Sequence, residues 1–322
     1  MCGTHGFQIL SAGLGVAVAF RAGLFNIGGR GQMLVAAGAA GYVGFAWPLP
    51  FGIHLIVAVA MGMLAGAIWG GIVGLLKART GAHEVIVTIM LNYVAYYLIA
   101  FLLRTPGALQ APGSTNPKSP AMLPTAVFPE LFGPKYNLHL GFLFAIAATI
   151  WVWYLINRSN LGFQFRAVGE NPNAARVAGM NVKNIYVYAM LISGGLIGLA
   201  GVAQVLGTVT TGFTQGIDAG IGFDAITVAL LGRSRPIGVF FAGILFGALK
   251  AVADEGRAIA WISPPHLPYA PALASAGVAL DACLVVRPAA AEDALWSADQ
   301  VLRSGACGAA LLWLPEKTDY AW

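Results

Sequence analysis

The chain has 322 residues, 58% of them hydrophobic and 10% charged, with 42 glycines and a mean hydropathy of +0.75. A soluble domain carries about 25% charged residues, so this composition excludes an ordinary cytosolic enzyme, a disordered chain and a basic nucleic-acid binder. It fits an all-α polytopic membrane bundle with about 6–8 membrane segments.

The charge divides the chain. Residues 1–252 hold 14 Lys+Arg and 5 Asp+Glu, a net of +9; residues 253–322 hold 4 and 8, a net of −4. The first part reads as membrane protein and the second as a short soluble α/β-like fragment. Cys2, Cys283 and Cys307 are too scattered for a disulfide framework, and the five histidines show no ligand spacing. No metal, cofactor or catalytic group is expected.

In chain order, the stretch 9–20 is apolar but too short to span. The stretches 32–49, 52–76, 85–103, 138–156, 185–206 and 236–252 approach spanning length, whereas 221–231 is again short. Short stretches of this kind fit half-helices, or the remains of a span, because non-helical backbone at membrane depth survives only where protein or water covers it. Gly62, Gly66, Gly70 and Gly74 form a small-residue stripe on one helix face, and Gly194 with Gly198 and Gly243 with Gly247 repeat the pattern, which predicts close helix packing.

Lys77 and Arg79 follow the second full span, and Arg158, Arg166, Arg176 and Lys183 cluster in 157–184. The positive-inside rule places both segments in the cytoplasm and the proline-rich segment 104–137 outside. Counting back places Arg21 and Arg30 inside, and leaves the stretch 9–20 needing a further upstream helix to return the start of the protein to the cytoplasm.

Polar residues within apolar stretches are Asn26, Gln32, Asn92, Gln204, Asp218 and Asp224. Each is costly in lipid unless it is paired or faces a cavity. Asn26, Gln32, Asn92 and Gln204 are candidates to line a substrate path; the competing reading is that they bond neighbouring helices. The absence of a chain of buried titratable groups weighs against a proton-driven secondary transporter or channel.

The segment 157–184 reads NRSNLGFQFRAVGENPNAARVAGMNVKN. Asn171 is placed as an N-cap with Pro172 at the first helical position, which predicts a short helix over 172–178 closed by Gly179. Ala174, Ala175 and Ala178 would allow close approach to a partner, with Glu170 and Arg176 fixing register. A solvated surface helix is the bland alternative.

FRAGLFNIGGRGQ at 20–32, EVIVTIMLNYVA at 84–95, GFQFRAVGENPNAARVAGMNV at 162–182 and GFDAITVALLGRSRPIGV at 222–239 resemble the permease subunits of bacterial ABC importers. The nearest branch is that for simple sugars and nucleosides, within the branched-chain amino acid and ribose permease family. The resemblance covers about residues 10–250. It implies a multi-pass protein of the bacterial cytoplasmic (inner) membrane that performs no chemistry itself. The implied partners are a cytoplasmic ABC ATPase subunit, a second permease subunit, an extracytoplasmic substrate-binding protein and membrane lipid, with no nucleic acid. The loop 162–182 resembles the part of such permeases that contacts the ATPase, so Glu170, Asn171, Pro172, Ala174, Ala175, Arg176 and Gly179 become the expected coupling residues. Members of the family usually carry a further N-terminal helix and remain membrane protein beyond residue 250.

The tail departs from that pattern. Apolar runs at 258–262, 283–286 and 308–314 alternate with helix-like segments at 269–277 and 291–304, a β-α-β-α-β rhythm of a parallel sheet. In the helix 291–304, Leu295, Ala298 and Leu302 share one face, with Glu292, Asp299 and Arg303 elsewhere. GRAIAWISPPHLPYAPALASAG and ALWSADQVLRSGACGA resemble RecA-like proteins of the SulA/ImuA type, although no GxxxxGK[ST] phosphate loop is present. The expectation is therefore an N-terminally truncated permease domain, 1–252, joined by fusion or artefact to a RecA-like fragment, 253–322. The alternatives are a DNA-damage-response accessory protein and a secondary transporter or channel.

Overall fold

The computed structural model describes residues 4–131, 133, 139–254, 258–264, 283–288, 290–304 and 307–313. Two compact units are separated, Gly3–Leu245 and a second that begins at Phe246. The helices of the larger unit are α1 (Thr4–Arg21), α2 (Gly29–Ala46), α3 (Ile53–Thr80), α4 (Glu84–Leu102), α5 (Gly141–Arg158), α6 (Asn160–Glu170), α7 (Pro172–Val177), α8 (Val182–Ala203) and α9 (Ile221–Leu231). α8 runs on into a π-helical turn, Gln204–Thr208, and α10 (Pro236–Asp254) follows α9.

Among the described residues, four helices are long and apolar enough to cross a membrane: Ile53–Thr80, Glu84–Leu102, Gly141–Arg158 and Val182–Thr208. That is fewer than the six stretches the sequence offers. The expected span 32–49 forms as α2, but it starts three residues early and takes in Arg30, which makes it too polar for lipid. It need not be apolar, because most of its length is buried in protein. The apolar part of α10, Pro236–Lys250, is shorter than a span, whereas the stretch 9–20 lengthens into α1, an 18-residue helix.

Side-chain exposure separates an inner from an outer set. The described side chains of α1 from Phe7 to Ala19 are all buried, and α8 is nearly as enclosed. α3, α4 and α5 instead turn large apolar groups outward: Ile56, Leu64 and Ile68; Ile86, Met90, Tyr93 and Phe101; Ile150, Trp151 and Tyr154. Contiguous apolar faces of this size have no place against water, and they fit acyl chains.

The glycine stripe of α3 is what brings it onto α8. A Cβ on Gly66 would lie 2.5 Å from the Gly194 carbonyl oxygen and 2.9 Å from the Gly198 Cα. One on Gly70 would lie 2.6 Å from the Met190 oxygen, and one on Gly74 2.8 Å from the Val187 Cα. The partners descend along α8 as the glycines ascend along α3, so the helices are antiparallel with backbone against backbone. In lipid, where apolar burial gives little drive, this approach is the main source of helix adhesion.

The segment 104–131 is irregular, as its prolines require, and is tied to the bundle by backbone bonds. Ser119 N–H donates to Phe213 O (3.0 Å), Met122 N–H to Thr210 O (2.8 Å), Leu123 N–H to Gly44 O (3.0 Å) and Phe128 N–H to Leu206 O (2.8 Å).

The second unit contains β1 (Ala258–Ile262), β2 (Cys283–Val286), α11 (Ala291–Ser304) and β3 (Cys307–Leu312), with the parallel strand order β2-β1-β3. The strands fall where the apolar runs predicted them; the segment 269–277 lies outside the described residues. The buried face of α11 takes in Ala298 but not the leucines that share its apolar face. Ala294, Ala298 and Val301 pack with Ala260, Ile262 and Leu312, whereas Leu295 and Leu302 are exposed.

Replacing Gly66 by Leu should separate α3 from α8, because the added atoms meet backbone that cannot rotate aside. A loss of about 3 kcal/mol or more is expected, read as a lowered unfolding temperature in detergent. Gly216, which has nothing within 4 Å of its Cβ position, should accept Ala with little change.

Candidate functional site

Arg21 at the end of α1 donates from Nε to the Ser234 carbonyl oxygen (2.9 Å). Gly23, at φ +72°, lies against the backbone of Gly169, where a Cβ would come within 3.1 Å of the Gly169 Cα. From this end of the bundle, residues 24–28 return inward without helical structure, and α2 begins near the mid-points of α4 and α8. Asn26 and Gln32 pair their side-chain amides reciprocally, both bonds at 3.1 Å. Asn26 Nδ2 also donates to Ser193 Oγ (2.8 Å), and Gly28 N–H donates to Asn26 Oδ1 (2.9 Å). Asn92 accepts from Gly31 N–H (2.8 Å) and donates to Ile27 O (3.0 Å). Asn26, Gln32 and Asn92 are thus bonded to one another's segments. Gln204 is buried in the π-helical turn, where its neighbour Thr208 accepts from Gln8 Nε2 (2.8 Å).

A second interrupted helix meets this one. Residues 209–220 are largely non-helical, Gly220 is left-handed at φ +79°, and α9 starts at Ile221. Gly29 and Gly222 touch through their backbones; a Cβ on Gly29 would lie 2.8 Å from the Gly222 oxygen. The amino ends of α2 and α9 therefore converge inside the bundle.

Beside this junction is a cavity of about 560 Å³ lined by Arg30, Tyr96, Asn116, Pro117, Lys118, Thr214, Gln215 and Gly216. Arg30 Nε lies 3.2 Å from Asp218 Oδ2, and its guanidinium stands over the Tyr96 ring, 5.0 Å from the centroid. None of Asn26, Gln32, Asn92 and Gln204 belongs to this lining. The expectation for Arg30 is corrected here. The charge rule puts it with Arg21 at the cytoplasmic end, but it shares a cavity with Asn116 and Lys118 of the loop expected outside. The charge rule assumes that each Lys or Arg sits at a water-facing helix end, whereas Arg30 sits at an interior one. A charged residue set among Gly28, Gly29 and Gly31 is the sequence signal that marks it.

The segment after α5 is built from caps. Ser159 Oγ accepts from Gly162 N–H (3.0 Å) to start α6. Asn171 Oδ1 accepts from Asn173 and Ala174 N–H, both at 3.0 Å, to start α7, with Pro172 at its first position. Gly179, at φ +82°, turns the chain toward α8, where Asn181 Oδ1 accepts from Asn184 N–H (3.2 Å). α7 ends at Val177, one residue before the expected boundary.

Glu170, Asn171, Ala174, Arg176, Ala178 and Gly179 are exposed and Pro172 is half-buried. Ala175 is different. At 4% exposure it faces its own protein, so its small size lets α7 seat rather than letting a partner approach. The residue that projects is Val177, 90% exposed. The six-residue helix is too short for periodicity to tell its two faces apart.

A family described as "Branched-chain amino acid transport system / permease component" matches residues 4–273. The chain belongs to it: it is a permease component, a multi-pass protein of the cytoplasmic membrane. Among its relatives, the guanosine ABC transporter permease protein NupP of Bacillus subtilis is 44% identical over 74% of this chain and 68% of its own length. The glucose ABC transporter permease protein TsgB13 of Haloferax volcanii is 35% identical over 75% of this chain and 65% of its own. The nucleoside ABC transporter permease protein NupB of Lactococcus lactis is 34% identical over 78% and 70%. The chain spans about two thirds of the length of these relatives. No solved structure matches it.

Replacing Asn92 by Leu removes the acceptor for Gly31 N–H and the donor to Ile27 O in one step. A loss of about 1–3 kcal/mol is expected from the stranded backbone groups. The unfolding temperature should drop, and hydrogen exchange at Gly31 should accelerate more than at α3.

Proposed function

We propose that the chain is the transmembrane permease subunit of an ABC importer that moves a nucleoside or simple sugar across the cytoplasmic membrane. ATP is hydrolysed by a separate cytoplasmic subunit, a second permease subunit completes the pathway, and an extracytoplasmic binding protein delivers the solute. The observation that carries this reading is the family match, whose relatives are named for guanosine, nucleoside and glucose transport.

The geometry supports a division of labour. The capped segment from Glu170 to Gly179 is the coupling contact, with Val177 as its apolar tip and Ala174, Arg176 and Ala178 around it. Glu170, Asn171, Pro172, Ala175 and Gly179 hold its shape. A groove of about 440 Å³ beside it mixes Phe163, Met180 and Tyr188 with the amides of Gln164, Asn181 and Asn184 and offers the partner a recess of mixed polarity. The solute path runs along the interrupted helices, an arrangement in which transporters place their binding sites. Asn26, Gln32 and Asn92 brace the interrupted start of α2 beside that path, and Gln204 stands on the turn after α8 as a further path candidate. The family match runs to residue 273; of the fragment expected at 253–322, the part beyond that match is read as a RecA-like piece outside the transport machinery. The DNA-damage and secondary-transporter readings draw no support from the relatives.

Orientation is tested by cysteine labelling in intact cells. Thr115→Cys should react with a membrane-impermeant maleimide and Asn173→Cys only after permeabilisation; the reverse pattern inverts the topology.

Val177→Glu should weaken association with the cognate ATPase by about 2 kcal/mol or more, as loss of a buried apolar anchor does, without affecting membrane insertion. Unchanged co-purification and unchanged transport-coupled ATP hydrolysis would remove the coupling role from α7.

A further inference from the structure

The cavity at Arg30 presents cations on its lining and keeps the paired carboxylate behind them. Arg30 lines it at 34% side-chain exposure, and its counter-ion Asp218 sits behind it at 5%. Lys118 supplies a second cation on the lining, which includes no Asp or Glu among the described residues. The amino ends of α2 and α9 meet at Gly29 and Gly222, so the positive ends of two backbone dipoles point at one place. Asp224, in the first turn of α9, offsets part of that field but does not line the cavity.

Arg30 is also held in place. Asp218 fixes one edge of the guanidinium at 3.2 Å and the Tyr96 ring covers its face. The guanidinium is a planar cation with donors in a fixed fork, so these two contacts hold its charge at one place on the lining. A path for a neutral polyhydroxylated solute must open between two aqueous phases without passing protons or metal ions, and a fixed arginine with converging helix amino ends is a physical means of doing so.

We propose that Arg30, positioned by Asp218 and Tyr96, is a cation-exclusion barrier in the solute path, passing neutral solute while repelling protons and alkali cations. This rests on the importer reading above. Lys118 extends the barrier toward the loop side, and Asp218 acts as a positioning residue.

The test is a leak assay on the full chain assembled with its partner subunits in proteoliposomes containing a trapped pH-sensitive dye, under a potassium diffusion potential and without solute or ATP. The wild type should be tight. Arg30→Gln should leak protons at least tenfold faster, and Arg30→Lys should stay near wild type because it keeps the charge. Arg30→Gln as tight as the wild type overturns the proposal, as does a leak of equal size in Arg30→Lys, which would make shape rather than charge the cause. Should Arg30→Gln lose its unfolding transition in detergent, Lys118→Gln gives the reading on the intact bundle. A leak two- to threefold above wild type supports the proposal, and none overturns it. ATP-driven nucleoside or sugar uptake by the wild type with its partner subunits is measured separately. Its failure would count against the importer reading and leave the leak comparison standing.

Discussion

A backbone amide that cannot reach water must bond to protein, and the interior start of α2 depends on that constraint. In lipid each unsatisfied peptide group costs several kcal/mol, so an irregular segment at depth must have its partners supplied. Residues 24–28 have them. Asn26 Oδ1 takes up the Gly28 N–H, and the Asn92 side chain takes up the Gly31 N–H and the Ile27 carbonyl, groups that a continuous helix would have bonded internally, while Gln32 and Ser193 Oγ satisfy the Asn26 amide itself. These bonds draw α2, α4 and α8 to one point, and that point is where the helix ends can face a cavity.

Glycine serves two ends in this frame. Along α3 it is a stripe that brings two full helices together, and the consequence is adhesion. At Gly29 and Gly222 it is a single contact between two helix starts, and the consequence is electrostatic, because only bare backbone lets two amino ends come so near. Both depend on the missing Cβ, but the first would tolerate a shift along the helix axis and the second would not. The residues that follow each contact are therefore fixed relative to one another, which is how Arg30 of α2 comes to face Asp218 just before α9.

Much of this was legible in the sequence. The caps of α7 follow from Asn171, Pro172 and Gly179, because capping is local chemistry. The three tail strands follow from short apolar runs between polar segments. The depth of Arg30 was not legible, since charge asymmetry reports only on residues at aqueous ends. The faces of α7 and α11 were hidden for a related reason. Ala175 and Ala294 are buried while Val177 and Leu295 are exposed, the opposite of what hydrophobicity ranks. In each case the small residue lies where the helix must seat closely, and the larger apolar one is left outside. Likewise α2 reads as a span from its glycines and alanines, yet its neighbours, not lipid, surround most of it.

The π-helical turn at the end of α8 connects these observations to motion. A π turn widens the helix and shifts the register of everything after it, a recurrent feature of functional positions. Here it precedes the 209–220 segment that leads to Asp218. The same turn is the anchor of the loop above the cavity, through Phe128 N–H on Leu206 O and through His139, whose ring lies against Gly207 and between Phe7 and Phe128. Burial pushes the His139 imidazole down to about 4, so it stays neutral across the physiological range and this anchor is held by packing rather than charge. The loop that supplies Lys118 is thus bonded to this turn at Leu206 and, through Met122 and Ser119, to Thr210 and Phe213 of the segment that supplies Asp218. A displacement of that turn moves both, and the cavity's roof and the partner of Arg30 shift together rather than independently.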